Sequence, residues 1–148
     1  TVFQKHRVPD SWCWLEEGPK NDIQLIEPHD KTKEPVLVIA LSTKAILDRI
    51  ADRFGDTVSL WSITCNEPGN DMMRSHSQLK QFNQVVRMAM DTIKTAHSKA
   101  DCLKIFMAAP ASCAVELGRI RMPKADLPWV LYDYWVDKDE DIETITIK

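Results

Sequence analysis

The sequence predicts an α/β fold: a mostly parallel sheet flanked by helices on both faces. Three observations predict it. Val36–Leu41 is a continuous apolar run of strand length, as a strand buried on both faces requires. Apolar residues at 79, 82, 86, 89, 93 and 96 recur every three or four positions, the stripe of an amphipathic helix. Strand-like and helix-like segments then alternate to the C-terminus, the order that builds crossover connections.

The elements follow in order. Residues 1–34 form a leading segment broken by Pro9, Pro19 and Pro28. Within it Asp22–Ile26 suggests a short strand, so the segment is read as an edge strand or the tail of a preceding unit. The regular unit spans 35–148. Its first strand, Val36–Leu41, leads into Ser42-Thr43, a hydroxyl pair suited to capping a helix. Ile46, Leu47, Ile50, Ala51 and Phe54 carry that helix, and Gly55 ends it. Thr57–Thr64 alternates as a second strand. Cys65–Ser75, with Pro68, Gly69 and Asn70, is a loop, and His76–Ser98 a helix roughly 30 Å long. Cys102–Met107 is a third strand, Ala108–Ser112 a small-residue turn, and Ser112–Arg119 a short helix closed near Gly118 and Pro123. Pro128–Tyr132 is a fourth strand, Val136–Glu143 an acidic loop, and Ile142–Ile147 a last strand.

Composition excludes several functions. The chain has 148 residues, 44% hydrophobic and 28% charged, enough for a core without a disulfide or metal staple. A net charge of −3 argues against a broad duplex nucleic-acid footprint but leaves room for a small anionic ligand. The four glycines are too dispersed for a dinucleotide or P-loop fingerprint. Cys13, Cys65, Cys102 and Cys113 form no C-x-x-C pair, so zinc is unsupported and reduced thiols are expected. No apolar run is long enough to span a membrane. A chain opening on Thr1 rather than Met is expected to be processed, trimmed or part of something longer.

Ligands of open α/β sheets lie beyond the carboxyl ends of the strands. That rule selects three loops. Ala109, Pro110, Ala111, Ser112 and Cys113 lead into a helix whose first-turn amides suit an anion, with small side chains that admit a ligand to the backbone. Ordinary capping and tight packing explain the same residues, and both readings stay open. Ser42, Thr43 and Lys44 offer two hydroxyls and a cation, against a cap with a solvated lysine. Asn66, on the third loop, would line the rim. Arg119, Arg121 and Lys124 form a basic cluster with a solvated surface as the simpler reading. Trp12 and Trp14 suit packing over the sheet edge, Trp129 the core, and Trp135 partial exposure. Cys113 lacks a base for nucleophilic catalysis, and the residues around Ser112 are not G-x-S-x-G, so no catalytic residue is assigned.

The run Ala108-Ala-Pro-Ala-Ser-Cys-Ala-Val-Glu-Leu-Gly-Arg119, the connector Met122–Asp126 and the strand Trp129–Asp133 resemble a SAVED domain, a sensor of bacterial CBASS anti-phage systems. The resemblance covers about residues 35–135 and is most distinctive over 106–134. It implies a Rossmann-like (CARF-like) unit, the C-terminal one of the two that such domains contain. It further implies a cyclic di- or trinucleotide as activating ligand with no other cofactor, a cytoplasmic setting and ligand-induced oligomerisation. A fused or associated effector (nuclease, TIR or protease) would do the work. A full domain of this kind is longer than 148 residues, and no effector motif is visible here. A ring nuclease that cleaves its own ligand, with Thr43, Lys44 and Ser112 positioning a ribose hydroxyl, and a purely structural oligomerisation module are the alternatives.

Overall fold

The computed structural model describes residues 3–18 and 20–148; Pro19, one of the predicted breaks, lies outside them. The strands are β1 (His6–Arg7), β2 (Asp10–Ser11), β3 (Ile23–Ile26), β4 (Glu34–Ala40), β5 (Val58–Cys65), β6 (Leu103–Ala108), β7 (Trp129–Trp135) and β8 (Glu140–Ile147). The helices are α1 (Ala45–Phe54), α2 (His76–Ala96) and α3 (Ala111–Ile120). A six-stranded sheet has the order β3-β5-β4-β6-β7-β8. Its four central strands are parallel; β3 and β8 are antiparallel edges. The expected sheet is therefore present, and Ile23–Ile26 is an edge strand of it.

Alternation along β4 splits the core into two layers. Leu37 and Ile39 face α2 and α3, in a cluster with Trp61, Ile63, Phe82, Ile93, Ile105 and Trp129. Val36, Val38 and Ala40 face α1, with Ile46, Ile50 and Phe106. Helices thus cover both faces, α1 on one and α2 with α3 on the other. The α2 stripe is buried at 79, 82, 86, 89 and 93, while Ala96 is exposed in the last turn. Ser75 and Gln78 close its start as a reciprocal capping box. Gly55 ends α1 at φ 51°, a conformation that favours glycine.

Several expected boundaries move. The cap position of α1 is Lys44, not Ser42 or Thr43; the Thr43 hydroxyl instead accepts from the Ala45 amide at 3.2 Å. The α3 cap is Pro110 rather than Ser112, and Gly118 sits inside that helix, which runs on to Ile120. The acidic loop shrinks to a turn, Val136–Lys138 with left-handed Asp139 at φ 52°. Residues 140–143 join the ladder because they pair with 132–135. Asp141 is also buried there against Arg49 (3.0 Å) and Arg53 (3.7 Å) of α1.

Candidate functional site

The order of the parallel strands has one reversal point. β4 leaves toward α1 on one face, and its neighbour β6 leaves toward α3 on the other. Such a divergence opens a crevice at the carboxyl edge of the sheet. In this sheet that point falls between residues 41–44 and residues 109–111. The Ala108 carbonyl accepts from both the Leu41 amide (2.9 Å) and the Ser42 amide (2.8 Å), fixing the two lips together just beyond β4. A third wall comes from the loop after β5: the Gly69 amide donates to the Leu41 carbonyl at 3.0 Å.

The loop is set by a residue from the leading segment. Buried Asn21 donates through Nδ2 to the Glu67 carbonyl (2.8 Å) and accepts through Oδ1 from the Glu67 amide (2.9 Å). One side-chain amide thus acts as a strand neighbour for the turn carrying Asn66. Beneath the crest lie Met73, Cys65 and Cys113, all buried. Burial pushes the Cys65 thiol up, with Lys44 among the groups that pull it back down. Burial pushes Cys113 up to about 12, which makes it an inert packing residue and not a nucleophile.

The nine residues expected from sequence divide in two. Thr43, Lys44, Asn66 and Ala111 are exposed at the crest, and Ser42 and Ala109 are half-buried there. Lys44 is the one cation among the nine. Pro110, Ser112 and Cys113 are buried, the last two completely. Ser112 does not face an open crevice. Its hydroxyl donates to Gln4 Oε1, and its amide lies 3.4 Å from the same oxygen. The acceptor that a ligand was expected to bring to the donors of the α3 N-terminus is thus supplied by the chain itself.

Gln4 belongs to a strap missed by local reading. Its Nε2 donates to the Met73 carbonyl at 3.5 Å. Further along, the Arg7 and Val8 amides donate to Asp71 Oδ2 at 2.9 and 3.2 Å, and Arg74 donates to the Val8 carbonyl at 2.7 Å. The Leu15 amide bonds the Arg74 carbonyl at 2.9 Å. Gly18 completes the strap over the α2 cap, where a Cβ would meet Ser75 Oγ and Gln78 Oε1 at 2.7 Å. A capping box can be seen in Ser75-x-x-Gln78, but nothing local marks Gln4 or Asn21.

The other singled-out groups are structural. Asp126 is buried against Arg87, with Nη1 to Oδ2 at 3.1 Å. Arg119 pairs with Glu116 at 2.7 Å, and Arg121 lies over the Trp129 ring, so the basic cluster is largely engaged. Trp14 stacks on His76, Trp129 is core and Trp135 is half-exposed. No group of metal-ligating side chains occurs among the described residues, and none of their helices is long and apolar enough to cross a membrane.

This architecture has known counterparts. Three solved structures of the Acinetobacter baumannii Cap4 SAVED/CARF-domain containing receptor superpose on it. The form with the cyclic trinucleotide 2′3′3′-cAAA gives a TM-score of 0.63 at 21% identity, over 88% of this chain and 28% of that one. The form with 3′3′3′-cAAA gives 0.62 at 18% identity, with the same coverage. The receptor described without a ligand gives 0.61 at 19% identity, over 84% and 25%. This chain thus corresponds to little more than a quarter of the receptor's length, and the likeness carries the fold, a Rossmann-like SAVED/CARF unit. No curated protein matches the chain. The model of the SMODS-associated and fused to various effectors sensor domain matches residues 1–147, and with nearly every residue inside that match the chain belongs to the SAVED family of sensor domains.

Proposed function

We propose that this chain senses a cyclic di- or trinucleotide at the switch-point crevice and passes the signal to a fused or associated effector in bacterial anti-phage defence. The observation that carries the reading is the pair of hydrogen bonds from Leu41 and Ser42 to the Ala108 carbonyl. They tie residues 41–42 to the end of β6 at the switch point, the edge at which open α/β sheets bind their ligands. Family membership and the cyclic trinucleotides bound by the Cap4 receptor support the ligand class. Lys44 supplies charge for a phosphate. Ser42, Thr43 and the backbone at Ala109–Ala111 supply polar groups close to it, and Asn66 stands at the rim for a base. Ser112 and Cys113 join the site only if the strap carrying Gln4 moves. The chain itself carries no catalytic assignment. A cytoplasmic setting and assembly on ligand binding complete the reading.

The test is a thermal-shift panel of cyclic di- and trinucleotides, including the two cyclic tri-adenylates. A ligand at 100 times its Kd adds about 2.7 kcal/mol, or roughly 5–10 °C for a domain of this size. One cyclic nucleotide giving that shift, recovered intact by chromatography, supports a sensor. Linear products would instead favour the ring-nuclease alternative. Assembly identical with and without ligand in light scattering would favour a structural module.

A further inference from the structure

The ribbon formed by β7 and β8 is unlike the rest of the surface. Residues 133–143 hold six carboxylates against one lysine, in a chain whose net charge is only −3. A groove of about 470 Å³ runs along it, lined by Asp133, Tyr134, Trp135, Val136, Asp137, Ile142 and Thr144. Pairing of Asp133 with Ile142 and of Trp135 with Glu140 puts Asp133, Trp135 and Ile142 on the face opposite Tyr134 and Asp141. Tyr134, on the α1 face, is occupied: Arg49 lies over its ring at 4.0 Å. Trp135 is 49% exposed and Val136 75% exposed. Among the described residues Asp133 accepts only from the neighbouring Tyr134 amide, and Asp137 has no ion pair. β8 is the last strand of the sheet, so its outer edge pairs with no described strand, and Ile145 is exposed beside it.

A half-exposed indole two positions from each of two carboxylates that make no ion pair among the described residues attracts a cation, since the ring face and the carboxylates draw the same charge. The ribbon already uses its rings this way, with Lys138 Nζ 4.4 Å from the Trp135 centroid. The same carboxylates repel a nucleotide phosphate. An open strand edge beside the groove accepts an extended backbone. We propose that the β7–β8 ribbon is a docking surface for an extended, Arg- or Lys-bearing peptide segment of a partner protein. One basic side chain would sit between Trp135, Asp133 and Asp137, and the backbone would add to β8. This surface is separate from the crevice and stands whether or not the nucleotide reading holds.

The probe is an acetylated, amidated Arg-Val-Arg-Val-Arg-Val peptide, titrated by calorimetry against the whole chain. Binding that weakens with salt and resists a Glu-for-Arg control peptide is expected. Trp135→Ala should weaken it about tenfold, within the range of exposed and partly desolvated cation–π contacts. Asp133→Asn with Asp137→Asn should weaken it comparably and flatten the salt dependence. All three positions lie on the surface, and circular dichroism would verify the fold of each variant. Absence of binding, equal binding of the acidic control, or unchanged affinity in Trp135→Ala would overturn the proposal. Concentration-dependent self-association without peptide, abolished by Trp135→Ala, would assign the surface to a second copy and overturn it as well.

Discussion

Gln4 and Ser112, 108 positions apart, form a buried hydrogen bond that closes the N-terminus of α3. The amide oxygen of the leading strap takes the place at which an anion would meet the helix, and it also lies 3.4 Å from the Ser112 amide. A neutral carbonyl oxygen satisfies these donors without bringing a buried charge, which is why it can be sealed there.

Removing that oxygen leaves the buried Ser112 hydroxyl without an acceptor. Gln4→Ala should cost about 1–3 kcal/mol in urea unfolding, the penalty of an unsatisfied buried donor. The double variant with Ser112→Ala should cost less than the sum of the single ones, because the stranded group is gone. Strict additivity would show that the contact does not form in solution. Ser112→Arg is an unsuitable probe of binding for the same reason: the side chain has no space and would expel the strap.

The exposed lip offers the cleaner probe of ligand binding. Lys44→Glu should weaken a bound cyclic nucleotide at least ~10-fold by exchanging attraction for repulsion at a phosphate. The loss should shrink at high salt as the exposed charge is screened. Isothermal titration with whichever cyclic nucleotide stabilises the wild type checks it; unaltered affinity would remove Lys44 from the site.

Arg87 and Asp126 tie α2 to the connector after α3, where the Met122 amide also donates to Asp126 Oδ2 at 2.7 Å. Burial raises the Asp126 pKa, but the hydrogen bonds from Arg87 and Met122 outweigh it, so the carboxyl ends below its ordinary 3.8. The pair therefore stabilises the fold above pH 3.8, and that contribution is lost as pH falls from there through the lowered value. Arg87→Leu strands a buried carboxylate and should cost about 3–5 kcal/mol at neutral pH. Adding Asp126→Leu should recover much of it, measured as denaturant midpoints. A surface-like loss below ~1 kcal/mol for Arg87→Leu would mean the pair is solvated.

His97 sits at the opposite end of the sheet, where its Nε2 accepts from Trp61 Nε1 at 3.0 Å. Burial is the largest influence on it, with Lys31 adding to the effect, and the imidazole is held below its ordinary 6.5. The unfolded chain takes up the proton first as pH drops. Stability from this group is thus complete above pH 6.5 and drains away between 6.5 and the lowered folded value. Thermal melts from pH 7.5 to 5.5 should show a slope that His97→Asn reduces. An equal slope in the variant would assign the effect to other groups.

Helices and strands were legible because their signals are local. The run at 36–41 and the stripe at 79–93 each report their own environment through spacing alone, and Gly55 marks a helix end through its own backbone freedom. The strand order around the switch point was legible too, since topology follows from element order. Where local reading failed, a distant partner decided. Residues 140–143 read as a solvated acidic loop, yet pairing with 132–135 made them strand, and Arg49 with Arg53 made Asp141 a buried residue. Ser112 read as an open cap because its spacing to Pro110 says nothing of a glutamine more than a hundred residues earlier.

By itself, then, the sequence determined the α/β order, the two-sided burial of the central strand and the resemblance to a SAVED sensor. The first two rest on periodicity and residue type, which act within a few positions, and the resemblance rests on the motif runs between residues 106 and 134. Tertiary structure alone decided which lip residues are exposed, that Gln4 closes the third helix, that Asn21 holds the rim loop, and that an acidic, aromatic ribbon forms the edge of the sheet. Those outcomes depend on which donors and acceptors meet after the chain has collapsed, and a buried polar group is bound to whichever partner the fold brings within hydrogen-bond reach.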